Sequence, residues 1–407
     1  MNKCIQPGVL SGQVTPPPSK SYAHRAILCA ALANGESVIE NLVLSDDIAA
    51  TLSAVKTLGA QYTIGENSVV IAGIGSFANK AVIDCNESGS LLRFMIPICL
   101  AFGGTFRFIG RGKLGTRPLD VFEECFHRDG IIYKNESTDT ALDCTVSGVL
   151  KGGEYSLDGG VSSQFITGFL YAMACCDAPC VLHITGTPVS IGYIDITLDA
   201  LRAFGIQIEH KDYKTFFLKG SRSFTPCTYQ VEADYSQAAF FAVANFLGNH
   251  IQINGMKYHS LQGDRVILDF LRILSSSEAA ELVFDAENCP DIIPIFSVAC
   301  ALRRGKTIIK NAGRLRIKEC DRLHAVCEEL NKLGACVTEG RTSLQFEGVP
   351  SFTGGTVFSH HDHRIAMSLA IAATRCREPV YIQSAECVKK SYPTFFQDFM
   401  MLGGNVS

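Results

Sequence analysis

The sequence predicts an α/β protein of two domains built from six copies of one βαβαββ unit. Three observations carry this: a segment that returns six times, helical stretches apolar on every side, and strand and helix periodicities that alternate along the chain.

The returning segment is an apolar stretch opened by polar residues. It reads SKSYAHRAILCAALANG from Ser19, ESGSLLRFMIPICLAFGG from Glu87 and GVSSQFITGFLYAMAC from Gly160. It comes again as DYSQAAFFAVANFLG from Asp234, PDIIPIFSVACALRRG from Pro290 and HDHRIAMSLAIAAT from His361. With Ser21, Gly89, Ser163, Tyr235, Asp291 and Asp362 as equivalent points, the spacings are 68, 74, 72, 56 and 71 residues. A short helix that is apolar all round is buried all round, so these are inner helices.

Each inner helix is followed by a strand, a loop and an amphipathic helix. VIENLVLSDDIAATLSAVKTLGA is the pattern, with Ile48, Leu52, Val55 and Leu58 on one face. Asp46, Asp195, Asp264 and Asp321 read as N-caps of these outer helices, and Gly59, Gly205, Gly334 and Gly403 as their ends. Hairpin-like pairs such as AQYTIGENSVVIAG and ACVTEGRTSLQFEG follow most of them. Three inner helices per domain would then lie behind three sheets. The sixth copy runs out at Ser407 without its hairpin, and Lys3 to Val14 is the unassigned strand material that can complete it. One domain is therefore expected to be discontinuous, residues 1–17 plus 233–407, with residues 18–232 inserted. The chain would cross near Pro16-Pro17-Pro18 and near Val231 to Asp234.

Composition narrows the class. With 407 residues, 47% of them apolar, two or three domains with large cores are expected, and disorder, collagen and coiled coil are excluded. The best candidate for a membrane span, FITGFLYAMACC from Phe165, is too short to cross a bilayer, and MNKCIQPGVLSG lacks the apolar core of a secretory signal. Seventeen cysteines without a CxxC pair read as free thiols in a reducing cytoplasm. A net charge of -4 argues against bulk nucleic-acid binding.

Against that balance, cations gather where inner helices open, and a helix N-terminus with its free N–H groups favours anions. Lys20, Ser21 and Arg25 open one helix, Gly89, Ser90 and Arg93 another, Ser162, Ser163 and Gln164 a third, and Arg364 the last. The loops ahead of outer helices add Arg117, Arg314, Arg316, Lys318, Arg322, Lys389 and Lys390. A single Lys or Arg is more often a solvated surface group. Lys20 with Arg25, and the RIKECDR run with Glu319 and Asp321, point instead to a substrate carrying several negative charges, with carboxylates available for proton transfer.

SKSYAHRAILCAAL, SGSLLR, RPLD, SSQF, YIDITLDAL, KECDRL, DHRIAM and KKSYPTFF, in this order over essentially the whole chain, resemble the EPSP synthase (3-phosphoshikimate 1-carboxyvinyltransferase) family of enolpyruvyl transferases. The resemblance implies a two-domain inside-out α/β barrel, three βαβαββ units per domain around buried helices, with the active site in the interdomain cleft. It implies transfer of the enolpyruvyl group of phosphoenolpyruvate to the 5-hydroxyl of shikimate 3-phosphate, with no metal or organic cofactor, in a cytoplasmic monomer. By motif, Lys20, Ser21, Arg25, Ser162, Ser163, Gln164, Ser190, Asp291 and Lys318 would bind shikimate 3-phosphate, with Tyr193 along the ring. Lys20, Gly89, Arg117, Gln164, Arg322, Arg364 and Lys390 would bind phosphoenolpyruvate. Asp291, Glu319 and Lys20 would be catalytic, and Lys20→Ala, Glu319→Gln and Arg322→Ala would each lose most turnover while leaving the fold intact. Glu87 departs from the Asn of many relatives, and Arg314 from the Asn of some; Gly89 leaves room for glyphosate, so sensitivity is expected.

The nearest alternative is the sister family that acts on UDP-N-acetylglucosamine, but its reactive loop Cys is missing between Gly110 and Arg117. A dinucleotide site on Gly110-x-Gly112-x-x-Gly115 is a weak signal, and these glycines better serve a turn. A metal held by His360, His361, Asp362 and His363 fits helical geometry poorly, and Asp362 better caps a helix. A six-repeat scaffold without activity would not need cations at the helix openings.

Overall fold

The computed structural model describes residues 1–219 and 223–407, which form two compact units, Pro18–Glu232 and Met1–Pro17 with Ala233–Ser407. The fold is α/β, and each unit has its own apolar core.

In the inserted unit the helices are α1 (Lys20–Leu32), α2 (Asp46–Thr57), α3 (Gly89–Phe102), α4 (Glu123–Asp129), α5 (Ser163–Cys175) and α6 (Ile191–Ala203). Helices α1, α3 and α5 are the returning apolar segments, and nearly every residue of each is buried. Among the described residues the unit also has three four-stranded sheets, each a parallel pair continued by two antiparallel strands. Helix α3, for instance, joins Lys80–Asp84 to the parallel strand Gly104–Arg111. Helix α5 lies directly along α3 because residue 168 is glycine: a Cβ there would run into the Arg93 carbonyl.

In the discontinuous unit the helices are α7 (Tyr235–Phe246), α8 (Ile267–Ser276), α9 (Ile293–Leu302), α10 (Arg322–Lys332), α11 (His363–Ala373) and α12 (Phe395–Met401). The three apolar segments α7, α9 and α11 pack on one another. The described residues of this unit also form sheets of four, three and two strands.

Three details depart from the sequence expectation. The strand pairing parallel to Glu36–Glu40 ahead of α1 is Thr228–Gln230, from the far end of the inserted unit. Only Lys3–Ile5 completes the last sheet, antiparallel to Val380–Gln383 with Ile5 opposite Val380, whereas Ser11–Val14 pairs with His250–Ile253 in the fourth copy. That copy has no hairpin, because the chain passes from α8 straight to Glu281–Asp285. The short 56-residue spacing was its sign. Among the outer-helix caps only Asp321 caps as expected, accepting from His324 N. Ser45 rather than Asp46 caps α2, Asp195 lies inside α6 where Ser190 is the N-cap, and Asp264 is buried in a 3-10 turn before α8. Gly59, Gly205, Gly334 and Gly403 do follow helix ends, at φ of 118°, 83°, 89° and 91°.

All seventeen cysteines are free thiols, and no helix among the described residues is long and apolar enough to cross a membrane.

Candidate functional site

Each unit gathers one set of the expected residues at the openings of its inner helices. In the inserted unit, Lys20 begins α1 and its Nζ is 2.8 Å from Asp47 Oδ2 in the first turn of α2. Asp47 is 3% exposed, so Lys20 is held by a carboxylate that is largely withdrawn from water. Arg25, one turn further along α1, is buried and donates to Ser21 O, Thr197 Oγ1, Thr167 Oγ1 and Tyr193 O at 2.8, 2.8, 3.2 and 2.9 Å. It therefore ties together α1, α5 and α6, and with them Ser21, Tyr193 and the Ser190 cap. Ser190 itself adopts a left-handed conformation, φ 54°, and is buried.

Ser162 caps α5 and accepts from Gln164 N at 3.3 Å. The Gln164 side chain is fixed at both ends, its Nε2 donating to Ser90 Oγ at 2.8 Å and its Oε1 accepting from Arg93 Nη1 at 2.6 Å. Arg93 in turn donates to Pro118 O at 3.1 Å and lies 4.8 Å over the Phe165 ring. Arg93 thus aligns the openings of α3 and α5, a role that its sequence position did not reveal. Gly89 is the first residue of α3, and a Cβ on it would be driven onto Arg117 Nη1, so the missing side chain is what lets Arg117 reach this helix opening. Gly112 to Thr116, part of the glycine-rich loop, form a 3-10 turn leading into Arg117.

The discontinuous unit concentrates opposite charges around Arg322, which begins α10 and is 1% exposed. Its Nε is 2.7 Å from Asp362 Oδ2, and its two other nitrogens reach Asp291 Oδ1 at 2.9 Å and Glu319 Oε2 at 2.8 Å. Asp291 also meets Lys318 Nζ at 3.3 Å and Arg364 Nη2 at 3.2 Å, and Lys390 Nζ is 3.9 Å from Glu319. Asp362 caps α11 through Arg364 N at 2.8 Å, as the sequence suggested, but it is equally the buried counter-charge of Arg322, which the sequence did not reveal. Burial alone would raise the Asp291 carboxyl; Arg364, Lys318 and Arg322 outweigh it and hold the group well below the usual carboxylate range. Burial, with Arg322 and Arg314 beside it, pulls Lys318 down to about 8, against the attraction of Asp291 and Glu319. Arg322 is kept well above its ordinary value by Asp362, Glu319 and Asp291 despite its burial.

In the RIKECDR run, Arg316 and Asp321 serve the scaffold: they are 2.7 Å apart and Asp321 caps α10. Arg314 donates to Glu287 O at 3.1 Å. Arg322→Ala, expected to spare the fold, would strip a buried guanidinium from three carboxylates, so it is a structural change as well. Glu328, Glu329 and His360 bring ligand-type atoms within 4.8 Å of one another, but the Lys332 ammonium lies 2.9 and 2.8 Å from the two carboxylates and supplies their cation.

These helix openings offer N–H groups, fixed hydroxyls and guanidiniums for phosphates and carboxylates, and a carboxylate pair for proton transfer. Comparison with known proteins gives the family. A sequence profile described as EPSP synthase (3-phosphoshikimate 1-carboxyvinyltransferase) matches residues 5–399. The 3-phosphoshikimate 1-carboxyvinyltransferase of Clostridium perfringens is 47% identical over 416 residues, covering 98% of this chain and 98% of its own length. That of Clostridioides difficile is also 47% identical, over 99% of this chain and 97% of its own. In structure, the EPSP synthase of Acinetobacter baumannii matches with a TM-score of 0.81 over 100% of this chain and 99% of its own, at 24% identity, which supports the fold. A nearly full-length profile match and close relatives of equal length lead to one conclusion: this chain belongs to the EPSP synthase family.

Proposed function

We propose that this protein is a 3-phosphoshikimate 1-carboxyvinyltransferase in which both sets of groups serve one active site. It transfers the enolpyruvyl group of phosphoenolpyruvate to the 5-hydroxyl of shikimate 3-phosphate and releases phosphate, a step toward chorismate and the aromatic amino acids. The observation that carries the reading is the Arg322 cluster, where two carboxylates suited to proton transfer, Asp291 and Glu319, are held among four cations.

In this reading Ser162, Ser163 and Ser190, with Lys318, hold the 3-phosphate, and Ser21 and Arg25 the ring carboxylate. Gln164 and Tyr193 line the ring. Arg117 beside Gly89, with Arg322, Arg364 and Lys390, grips phosphoenolpyruvate, for which the planar guanidinium fork is well matched. Lys20 serves both substrates. Protonation of the enol CH2 by Lys20 or Glu319 makes C2 electrophilic, and the 5-hydroxyl attacks it while a carboxylate takes its proton. The tetrahedral adduct then loses a methyl proton and phosphate, restoring the double bond. Among these cations alone Asp291 is too acidic to be a strong base; substrate anions neutralise the cations around it and raise its basicity when it is needed. The finer readings are an inside-out barrel in each unit, a monomer in the cytosol, and inhibition by glyphosate at the phosphoenolpyruvate subsite.

Phosphate release tests the activity. Phosphate should appear only when shikimate 3-phosphate and phosphoenolpyruvate are both present, in step with the enolpyruvyl product. Phosphate from phosphoenolpyruvate alone, or none at all, would overturn it.

A further inference from the structure

Helix α10 grips one stretch of chain at two points, and the chemistry above uses only one of them. Arg322 and Glu329 are seven residues apart, so they share a face of α10 and lie about 10 Å apart along its axis. Arg322 binds Asp362, the N-cap of α11. Glu329 is fully buried and binds the chain just ahead of that cap. One of its carboxylate oxygens accepts from Phe358 N at 2.9 Å; the other accepts from His360 Nε2 at 2.7 Å and Lys332 Nζ at 2.8 Å. Gly355–Phe358 is an edge strand, and at Phe358 the carboxylate takes the place of a neighbouring strand. The stretch between the two grips is strained. His360 and His361 are both left-handed, at φ of 52° and 56°, a conformation that a Cβ disfavours and that is rarely taken twice in succession. Such strain persists where the surroundings impose it, and it gathers at functional sites. Here Ser359 Oγ accepts from His361 N at 3.1 Å and donates to Ser384 O at 2.9 Å, while the His360 ring is tied to Glu329. The turn delivers the chain onto Asp362, whose carboxylate takes Arg364 N at 2.8 Å and Arg322 Nε at 2.7 Å, and the Arg364 guanidinium reaches Asp291 at 3.2 Å.

We propose that Glu329 is a positioning residue: by holding His360 and His361 in the left-handed conformation it sets where Asp362 and Arg364 stand, and through them how tightly phosphoenolpyruvate is bound. This rests on the assignment of Arg322 and Arg364 to the phosphoenolpyruvate subsite. Without the carboxylate the two histidines relax toward negative φ, the cap of α11 shifts, and the Arg364 guanidinium leaves its place beside Asp291. Ser21, Arg25, Ser162, Ser163 and Ser190, assigned to shikimate 3-phosphate, belong to the other unit and are built without this turn.

The test is steady-state kinetics, with the KM of each substrate measured while the other is saturating. Glu329→Gln keeps the side chain's size but loses its charge and one acceptor. Its KM for phosphoenolpyruvate should rise about tenfold, the order of one hydrogen bond to a charged group, while kcat and the KM for shikimate 3-phosphate change far less. Glycine takes the left-handed conformation without being held there, so adding His360→Gly to Glu329→Gln should bring the KM back to within about threefold of wild type. A Glu329 that only stabilises the fold gives a different result. Fewer molecules are then active, so apparent kcat falls, both KM values stay, and glycine rescues nothing. That pattern, or a raised KM that glycine does not reverse, overturns the proposal. If Glu329→Gln does not fold, two single variants decide. His360→Phe keeps a ring against Phe358 but loses the bond to Glu329 and remains strained, and should raise the KM for phosphoenolpyruvate about fivefold. His360→Gly loses the same bond without the strain and should stay within about twofold of wild type. Equal KM values for these two overturn the proposal. Arg364→Ala separates the two readings. An unchanged KM for phosphoenolpyruvate removes Arg364 from the subsite and the inference with it. A raised KM there, beside a wild-type KM in Glu329→Gln, overturns the positioning role alone.

Discussion

Replacing Arg322 by alanine should unfold the discontinuous unit early, and the effect should depend on pH in a defined direction. The guanidinium is 1% exposed and contacts Asp362 at 2.7 Å, Glu319 at 2.8 Å and Asp291 at 2.9 Å; Asp362 is itself fully buried. Deleting it leaves buried anions without their shared cation, which costs about 3–5 kcal/mol. For a unit of this size that lowers the midpoint of its thermal transition by roughly 6–20 °C. Asp291 is ionised in the folded protein because cations depress its carboxyl, so its contribution is present above the unfolded carboxyl range and is lost as pH falls through its folded value. Without Arg322 the carboxyls protonate more readily, so the deficit is largest near neutrality and narrows in acid. Calorimetry of wild type, Arg322→Ala and Arg322→Lys at neutral pH and near pH 4, close to ordinary carboxyl values, measures both effects. Lysine restores the charge without the fork and should recover only part of the loss. A midpoint within about 2 °C of wild type, or a deficit that does not change with pH, would refute the reasoning.

Gly89→Ala places a methyl group against Arg117 and displaces its guanidinium. The loss of a charged hydrogen bond worth about 1.5–3 kcal/mol should raise KM for phosphoenolpyruvate roughly 10- to 100-fold and spare that for shikimate 3-phosphate, so a change below about twofold argues against the clamp. Lys318, pulled down to about 8, should weaken shikimate 3-phosphate binding as pH rises through that value, and Lys318→Arg should abolish the alkaline inflection in its KM. His24 is fully buried, and burial lowers it to about 3, so it stays neutral in the fold while the unfolded chain protonates below about 6.5. Stability should therefore fall by about 2 kcal/mol at pH 5; urea unfolding of wild type and His24→Gln at neutral and acid pH checks whether this share of the slope disappears.

The inner helices were legible because burial on every side leaves an unmistakable apolar run, and the cations at their openings stood out against a net negative chain. What stayed hidden was pairing at long range. Nothing local marks Thr228–Gln230 as the partner of Glu36–Glu40, or separates Ser11–Val14 from Lys3–Ile5, because a three- or four-residue strand carries little periodicity. The countercharges were hidden for a similar reason. Asp47 reads as an ordinary acidic first turn and Asp362 as a cap, and only the fold brings Lys20 and Arg322 against them. Asp264 reads as a cap from its position ahead of an outer helix, whereas the turn around it buries the carboxylate.

A crystal of the protein grown with shikimate 3-phosphate and an unreactive phosphoenolpyruvate analogue examines the assignment of both sets of residues at once. The sugar phosphate should rest on Ser162, Ser163 and Ser190, and the analogue should meet Arg117, Arg322, Arg364 and Lys390. Either ligand seated away from these side chains would contradict the account.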